Sequence, residues 1–152
     1  MQDLIQRYGL LPHPEGGFFR EVYRSQQAVA SPVAGAQRRA LTHIYFLLLR
    51  DQISRFHRVR HDEVWNFYRG APLRLVTFNG TAAEERLLGP GSEPFGVVAG
   101  GLFQAAESSG DYSLVGCTVA PGFEFEDFTF LRDDPAAVRD LERTAPGYRR
   151  FL

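Results

Sequence analysis

The sequence predicts an all-β domain, a barrel or sandwich of short strands, on three observations. From Arg39 onward, short runs rich in aliphatic and aromatic residues recur at spacings of about ten residues, as strands of sandwiches and barrels do. Turn residues separate them: Arg50-Asp51, Gly70, Asn79-Gly80 and Gly89-Pro90-Gly91. The helices that would cover a parallel sheet are missing from the middle of the chain.

In order, residues 3–8 place Leu4, Ile5 and Tyr8 at i, i+1 and i+4, one apolar helical face that Gly9 stops. His13-Pro14-Glu15-Gly16-Gly17 has the chemistry of a loop, because proline fixes φ and glycine permits positive φ. Residues 18–25 read as a strand. Residues 26–37 are small, polar or turn-forming and read as a mobile surface connection. Strands follow at 40–49, 53–56, 63–68, 73–78, 84–88, 97–99, 102–106, 112–120 and 128–131. A closing helix over 134–144 is marked by Pro135 in its first turn, by Val138 and Leu141 on one face, and by Pro146-Gly147 beyond it. No repeat or linker divides the 152 residues, so one domain, 1–152, is expected, long enough to bury a core without disulfides.

Seventeen basic against eighteen acidic side chains leave a net charge of −1, too small a field to recruit nucleic acid or an anionic membrane. A small-molecule partner is expected instead. The single cysteine, Cys117, cannot close an internal disulfide and reads as a buried, inert thiol of a reducing compartment. Residues 1–10 lack the apolar run of a signal peptide, and the longest apolar stretch, 44–49, falls far short of a membrane-spanning helix. The expected location is cytoplasmic.

The densest chemistry lies in residues 56–65, where His57, His61, Asp62 and Glu63 fall close together. On a strand beginning at residue 63, alternation puts Glu63, Trp65 and Phe67 on one face and Val64, Asn66 and Tyr68 on the other. A carboxyl sharing a face with Trp65 sits on the inner wall, where burial raises its pKa and suits it to acid-base or ligand duty. His57 precedes the turn and Glu63 follows it, so a hairpin carries both to one wall. His61 and Asp62 occupy the turn and read as solvated. Arg20, Tyr45 and Gln104 are candidates to point inward and bind a polar ligand alongside Trp65. Glu124, Glu126 and Asp127 read mostly as a solvated face opposite Phe123 and Phe125, and Arg38-Arg39 as solvated cations. No phosphate-binding loop or nucleophile elbow is present.

Residues 57–70 resemble the first cupin motif. His57, Glu63 and Gly70 match its first histidine, glutamate and glycine, whereas Val59 stands at the second histidine. Residues 116–125 resemble the second motif, with Phe125 near the last metal-binding histidine. Blocks at 11–21, 44–48, 56–59, 62–65 and 119–128 are similar to the Cupin 5 branch, although His61 replaces a serine there. The resemblance implies a cupin double-stranded β-helix, a jelly-roll barrel with a short helix at each end, that pairs into homodimers. Two metal ligands of the motifs are absent, which is similar to the sugar-epimerase branch. There His57 is the base and Glu63 its partner or the acid, acting on a sugar or nucleotide-sugar derivative. The alternatives are a non-catalytic binding module and a metal enzyme. In the last, a divalent transition metal is held by His57, Glu63 and His61; otherwise no cofactor is implied.

Overall fold

The computed structural model describes residues 2–152. The chain opens with α1 (Gln2–Tyr8) and the two-residue β1 (Leu11–Pro12), then runs through β2 (Phe18–Arg24), β3 (Ala28–Ser31), β4 (Ala36–Arg39) and β5 (Thr42–Leu49). It continues through β6 (Ile53–Val59), β7 (Asp62–Gly70), β8 (Leu73–Phe78), β9 (Ala83–Leu88), β10 (Phe95–Val98), β11 (Phe103–Ser108), β12 (Tyr112–Ala120) and β13 (Phe128–Phe130). It closes with α2 (Pro135–Thr144) and a 3-10 turn over Pro146–Phe151. A six-stranded sheet, β1-β2-β5-β12-β7-β10, faces a five-stranded one, β13-β6-β11-β8-β9. This is the jelly-roll barrel expected from the sequence.

Alternation builds three apolar layers. Phe46, Leu48, Trp65, Leu73, Leu75 and Val115 point between the sheets and pack together. The outward side chains of β8 and β11, Val76, Phe78, Phe103 and Ala105, meet Leu131, Leu141 and Phe151, so α2 and the last turn cover the five-stranded sheet. Asp134 caps α2, its carboxylate accepting from the backbone N–H groups of Ala136 and Ala137 at 3.1 Å. On the far side, Leu4, Ile5 and Tyr8 of α1 cover Leu47 and Leu114.

The segment read as a mobile connection is ordered. β3 and β4 form a two-stranded ribbon paired from Ala28–Arg39 to Ser31–Ala36. Its polar composition carried no strand signal, and side-chain anchors hold it. Arg38, expected in solvent, is buried and gives Asp127 two hydrogen bonds, at 2.7 and 3.0 Å. Asp127, expected on a solvated face, is buried with it because a 3-10 turn at Phe125–Asp127 breaks the strand alternation assumed there.

Candidate functional site

Between the sheets, beyond the packed layer, lies a cavity of about 90 Å³. Its walls are mostly hydrocarbon, from Phe19, Ile44, Phe46, Val59, Val119 and Phe128. Into them project His13 and Glu15 from the loop before β2, His57 from β6, Glu63 from β7 and Cys117 from β12. The rim carries Glu21, Arg24 and Glu124, with Phe123 and Phe125 beside them.

His57 and Glu63 line this cavity together, as the hairpin argument expected. The His57 ring is buried and stacks on Phe128, with centroids 5.0 Å apart and planes at 15°. Its Nδ1 lies 2.8 Å from the carbonyl of Arg55, which only accepts, so Nδ1 carries a proton; burial lowers the ring's pKa, and the neutral ring keeps its lone pair on Nε2. That lone pair faces Oε2 of Glu15 at 3.2 Å.

Glu15 is the functional candidate that reasoning from sequence missed. It is buried, and its Oε1 accepts from the Ser54 hydroxyl at 2.8 Å. Burial pushes its pKa up to about 8, so at neutral pH it holds the proton that the His57 lone pair accepts. The loop delivers it by pressing backbone against backbone. A Cβ on Gly16, at φ +112°, would stand 2.0 Å from the Ile53 carbonyl oxygen, and one on Gly17, at φ +72°, 2.7 Å from that of Leu47. The signal available was a carboxyl set between a proline and two glycines, in a loop whose glycines permit close approach. His13 joins it: its Nδ1 accepts the Glu15 backbone N–H at 3.2 Å, and burial followed by the nearness of His57 lowers its pKa to about 4.

Across the cavity, Glu63 accepts from the side-chain amide of Gln104. The Gln104 carbonyl accepts from the indole N–H of Trp65 at 2.8 Å. An indole only donates, so Trp65 dictates which end of the amide Gln104 turns to Glu63. Burial raises Glu63 to about 7, and the neighbouring Glu15 adds to the rise against the opposing pull of His57. Burial lowers His57, while Glu63 counteracts the shift. Cys117 is the buried thiol expected, and burial raises its pKa well above the ordinary value.

Five residues lie elsewhere than expected, and with them the metal set. Arg20 is exposed on the outer surface and donates to the carbonyl of Tyr8 at 3.1 Å, because the strand phase of β2 turns Phe19 and Glu21 inward instead. Tyr45 also faces outward, edge-on to Tyr8 and Tyr68. Trp65 and Gln104 do point inward, but neither lines the cavity; they brace Glu63 from behind. His61 is neither solvated nor near His57: it is buried, with Nε2 2.7 Å from the Ser31 hydroxyl, at the foot of the β3–β4 ribbon. The set His57, Glu63 and His61 therefore does not converge on a metal. Among the described residues no group of three or more His, Cys, Asp and Glu side chains is placed to hold one. Val59 and Phe125 offer hydrocarbon where the cupin motifs place ligands.

Comparison with known proteins agrees with the fold and shows the family. The family model described as Cupin superfamily (DUF985) matches residues 2–131. An uncharacterised protein of Saccharomyces cerevisiae, YML079W, is 31% identical over 153 residues, covering 88% of this chain and 76% of its own. A hypothetical protein from Leishmania major superposes with a TM-score of 0.84 at 30% identity, over 99% of this chain and 95% of its own. Protein SO0799 from Shewanella oneidensis does so with 0.81 at 32% identity, over 98% and 92%. Oxalate decarboxylase from Bacillus subtilis shares the fold alone, at 16% identity and a TM-score of 0.60 over 80% of this chain and 30% of its own. Among the described residues no helix is long and apolar enough to cross a membrane.

Proposed function

The chain belongs to the DUF985 family of the cupin superfamily, and from that premise we propose that its cavity binds a small metabolite and moves a proton on it, as an isomerase or epimerase does. One observation carries the reading. The His57 Nδ1 proton is tied to the Arg55 carbonyl, so the Nε2 lone pair meets a protonated Glu15, and both share a sheltered hollow with Glu63.

The chemistry balances as follows. A C–H proton next to a substrate carbonyl passes to the Glu15 carboxyl as the proton Glu15 holds moves to Nε2 of His57. Glu63 gives its own proton to the carbonyl oxygen, leaving an enediol. The products are an imidazolium and a Glu63 carboxylate, opposite charges that stabilise one another across a low-dielectric cavity. Reversal onto the neighbouring carbon completes the isomerisation. With pKa values near 7 and 8, Glu63 and Glu15 are poised for transfer at neutral pH. No step runs through a metal, because the donors present do not form a ligand set. A nucleotide-sugar is disfavoured: Arg24, the one guanidinium of the lining, is already shared by Glu21 and Glu124.

The test uses small α-hydroxyketones, from acetoin to the trioses, incubated with the protein in D₂O and followed by proton NMR. The expected result is catalysed exchange of the carbon-bound proton, reduced at least about 100-fold in both Glu63→Gln and His57→Gln with circular dichroism unchanged. A compound that binds and is never exchanged would leave a binding module.

We also propose that two copies associate through the outer face of the six-stranded sheet. There Tyr23, Tyr68, Phe95 and Val97 are exposed, whereas α2 covers the opposite sheet. Light scattering over a hundredfold dilution should give a dimer, and Val97→Lys a monomer; a wild-type monomer throughout would refute the pairing.

A further inference from the structure

The chemistry of the cavity narrows what can enter it. We propose that the ligand is an uncharged molecule with a hydrocarbon body and one compact polar head, a carbonyl-type acceptor with a single donor beside it, rather than an anion, a cation or a hydroxyl-rich sugar. This rests on the reading above that the cavity is the ligand site.

Burial and the hydrogen bonds of the His13, Glu15 and His57 side chains fit uncharged forms. His57 donates from Nδ1 to Arg55 and meets Glu15 at Nε2, and because both groups are buried, with the ring lowered and the carboxyl raised, the pair shares one proton as uncharged partners. His13 accepts the Glu15 backbone N–H at Nδ1, so it too is neutral. Glu15 accepts from Ser54 through one oxygen and faces a lone pair with the other, which requires a proton there. Glu63 is the exception, since the donors it meets, Gln104 and the Cys117 thiol, favour its carboxylate, and burial outweighs them to raise its pKa to about 7. Its neutral form is the acid that the carbonyl head meets.

The rim holds one guanidinium against two carboxylates, and that guanidinium is already fully engaged. Arg24 donates to Glu21 at 2.8 Å, to Glu124 at 2.6 Å and to the Phe123 carbonyl at 3.2 Å, so an anion would have to break carboxylate pairs to reach it. A charged ligand entering further would give up its hydration among Ile44, Phe46, Val59, Val119 and Phe128 with no counter-ion. A sugar would leave most of its hydroxyls against the same hydrocarbon. A compact body with one acceptor and one donor matches both the walls and the free capacity of Glu15 and Glu63.

Isobutyramide, isobutyrate and isobutyramidine have nearly one shape and differ in charge, and they serve as probes. Calorimetric titration at pH 6.5 is the measurement. The single tryptophan reports occupancy, because the Trp65 indole N–H leads through Gln104 to Glu63 and its resonance shifts when the cavity fills. The amide is expected to bind at least about tenfold tighter than either charged probe. From pH 6.5 to 8.5 the amidine should gain affinity, as Glu63 and Glu15 become able to ionise beside it. His13, His57 and Cys117 stay uncharged over that range, and Glu21, Arg24 and Glu124 remain paired at the rim.

Tighter binding of the amidine or the carboxylate at pH 6.5 overturns the assignment of ligand class, as does the absence of binding by all three. Catalysed exchange of a hydroxyketone in the same preparation would then show that the proton-transfer reading survives without it. Selective binding of the amide with no exchange of any hydroxyketone supports the class and removes the catalysis.

Discussion

Along β5 and β12 the inward side chains change character from one end of the barrel to the other. Leu48 and Val115 are packed solid, whereas Thr42 and Val119 border the cavity, with Ile44, Phe46 and Cys117 at the boundary, touching both core and hollow. The two ends use the same strands in the same register, so the difference lies in what the side chains fill. One end accumulates the burial that holds the sheets together, and that stability allows the other to keep a hollow with buried carboxyls that destabilise it. A pair of matched truncations on one strand separates the two. Leu48→Ala should cost about 2–5 kcal/mol in chemical denaturation, the loss typical of a leucine removed from a closed core. Ile44→Ala should cost less than half as much, since its side chain already borders open space. Equal losses would mean that the hollow end bears as much of the load as the packed one.

The boundary between the ends is polar. Trp65→Phe keeps most of the packing but removes the indole N–H, leaving the buried Gln104 carbonyl oxygen without its donor, at a cost of about 1–3 kcal/mol. The more telling consequence is at Glu63. With Trp65 no longer fixing the amide, Gln104 is free to turn its carbonyl toward the carboxyl, and the loss of its donated hydrogen bond should raise the Glu63 pKa further, read by NMR titration. An unchanged Glu63 titration would show that the packed end does not position the site.

The same contrast explains what was legible in the sequence. Strands with apolar alternation were readable to within a few residues, β8 and β12 to both ends, because one period dictates both burial and extended backbone. The β3–β4 ribbon was not, since Arg38–Asp127 and Ser31–His61 hold it and such pairs join residues far apart in the chain. At the site, His57 and Glu63 stood on strands whose phase could be followed. Glu15 did not: it arrives through a loop, and periodicity says nothing about where a loop points. Arg20 and Tyr45 were misplaced because both faces of the six-stranded sheet carry aromatic residues, so apolar neighbours did not reveal which side was the interior.

The smallest effect, and the one most particular to the hollow end, is a pH slope. The imidazoles are all lowered by burial, and unfolded they titrate at the ordinary 6.5, so above pH 7 each holds only about a quarter of a proton or less in the unfolded chain and their stabilising slope fades toward pH 8. Asp127 and Glu107, whose pKa values are lowered by Arg38 and Arg150, lose their contribution only as pH falls through the acid range. Glu15 and Glu63 act oppositely. Unfolded, they ionise near 4.5; folded, they hold protons to about 8 and about 7. Above pH 7 the folded state therefore binds more protons, and stability should fall as pH rises from 7 to 8, by at most about 1.4 kcal/mol per pH unit for each carboxyl still protonated, less the fading imidazole contribution. Glu15→Gln should flatten the slope between 7 and 8. Its amide donates to His57 and accepts from Ser54 as the protonated acid does, with nothing to ionise, so above pH 8 the variant should be the more stable protein. A wild-type stability that is level or rising across this window, measured by denaturant titration at each pH, would show that Glu15 ionises freely and that His57 lacks the proton partner assigned to it.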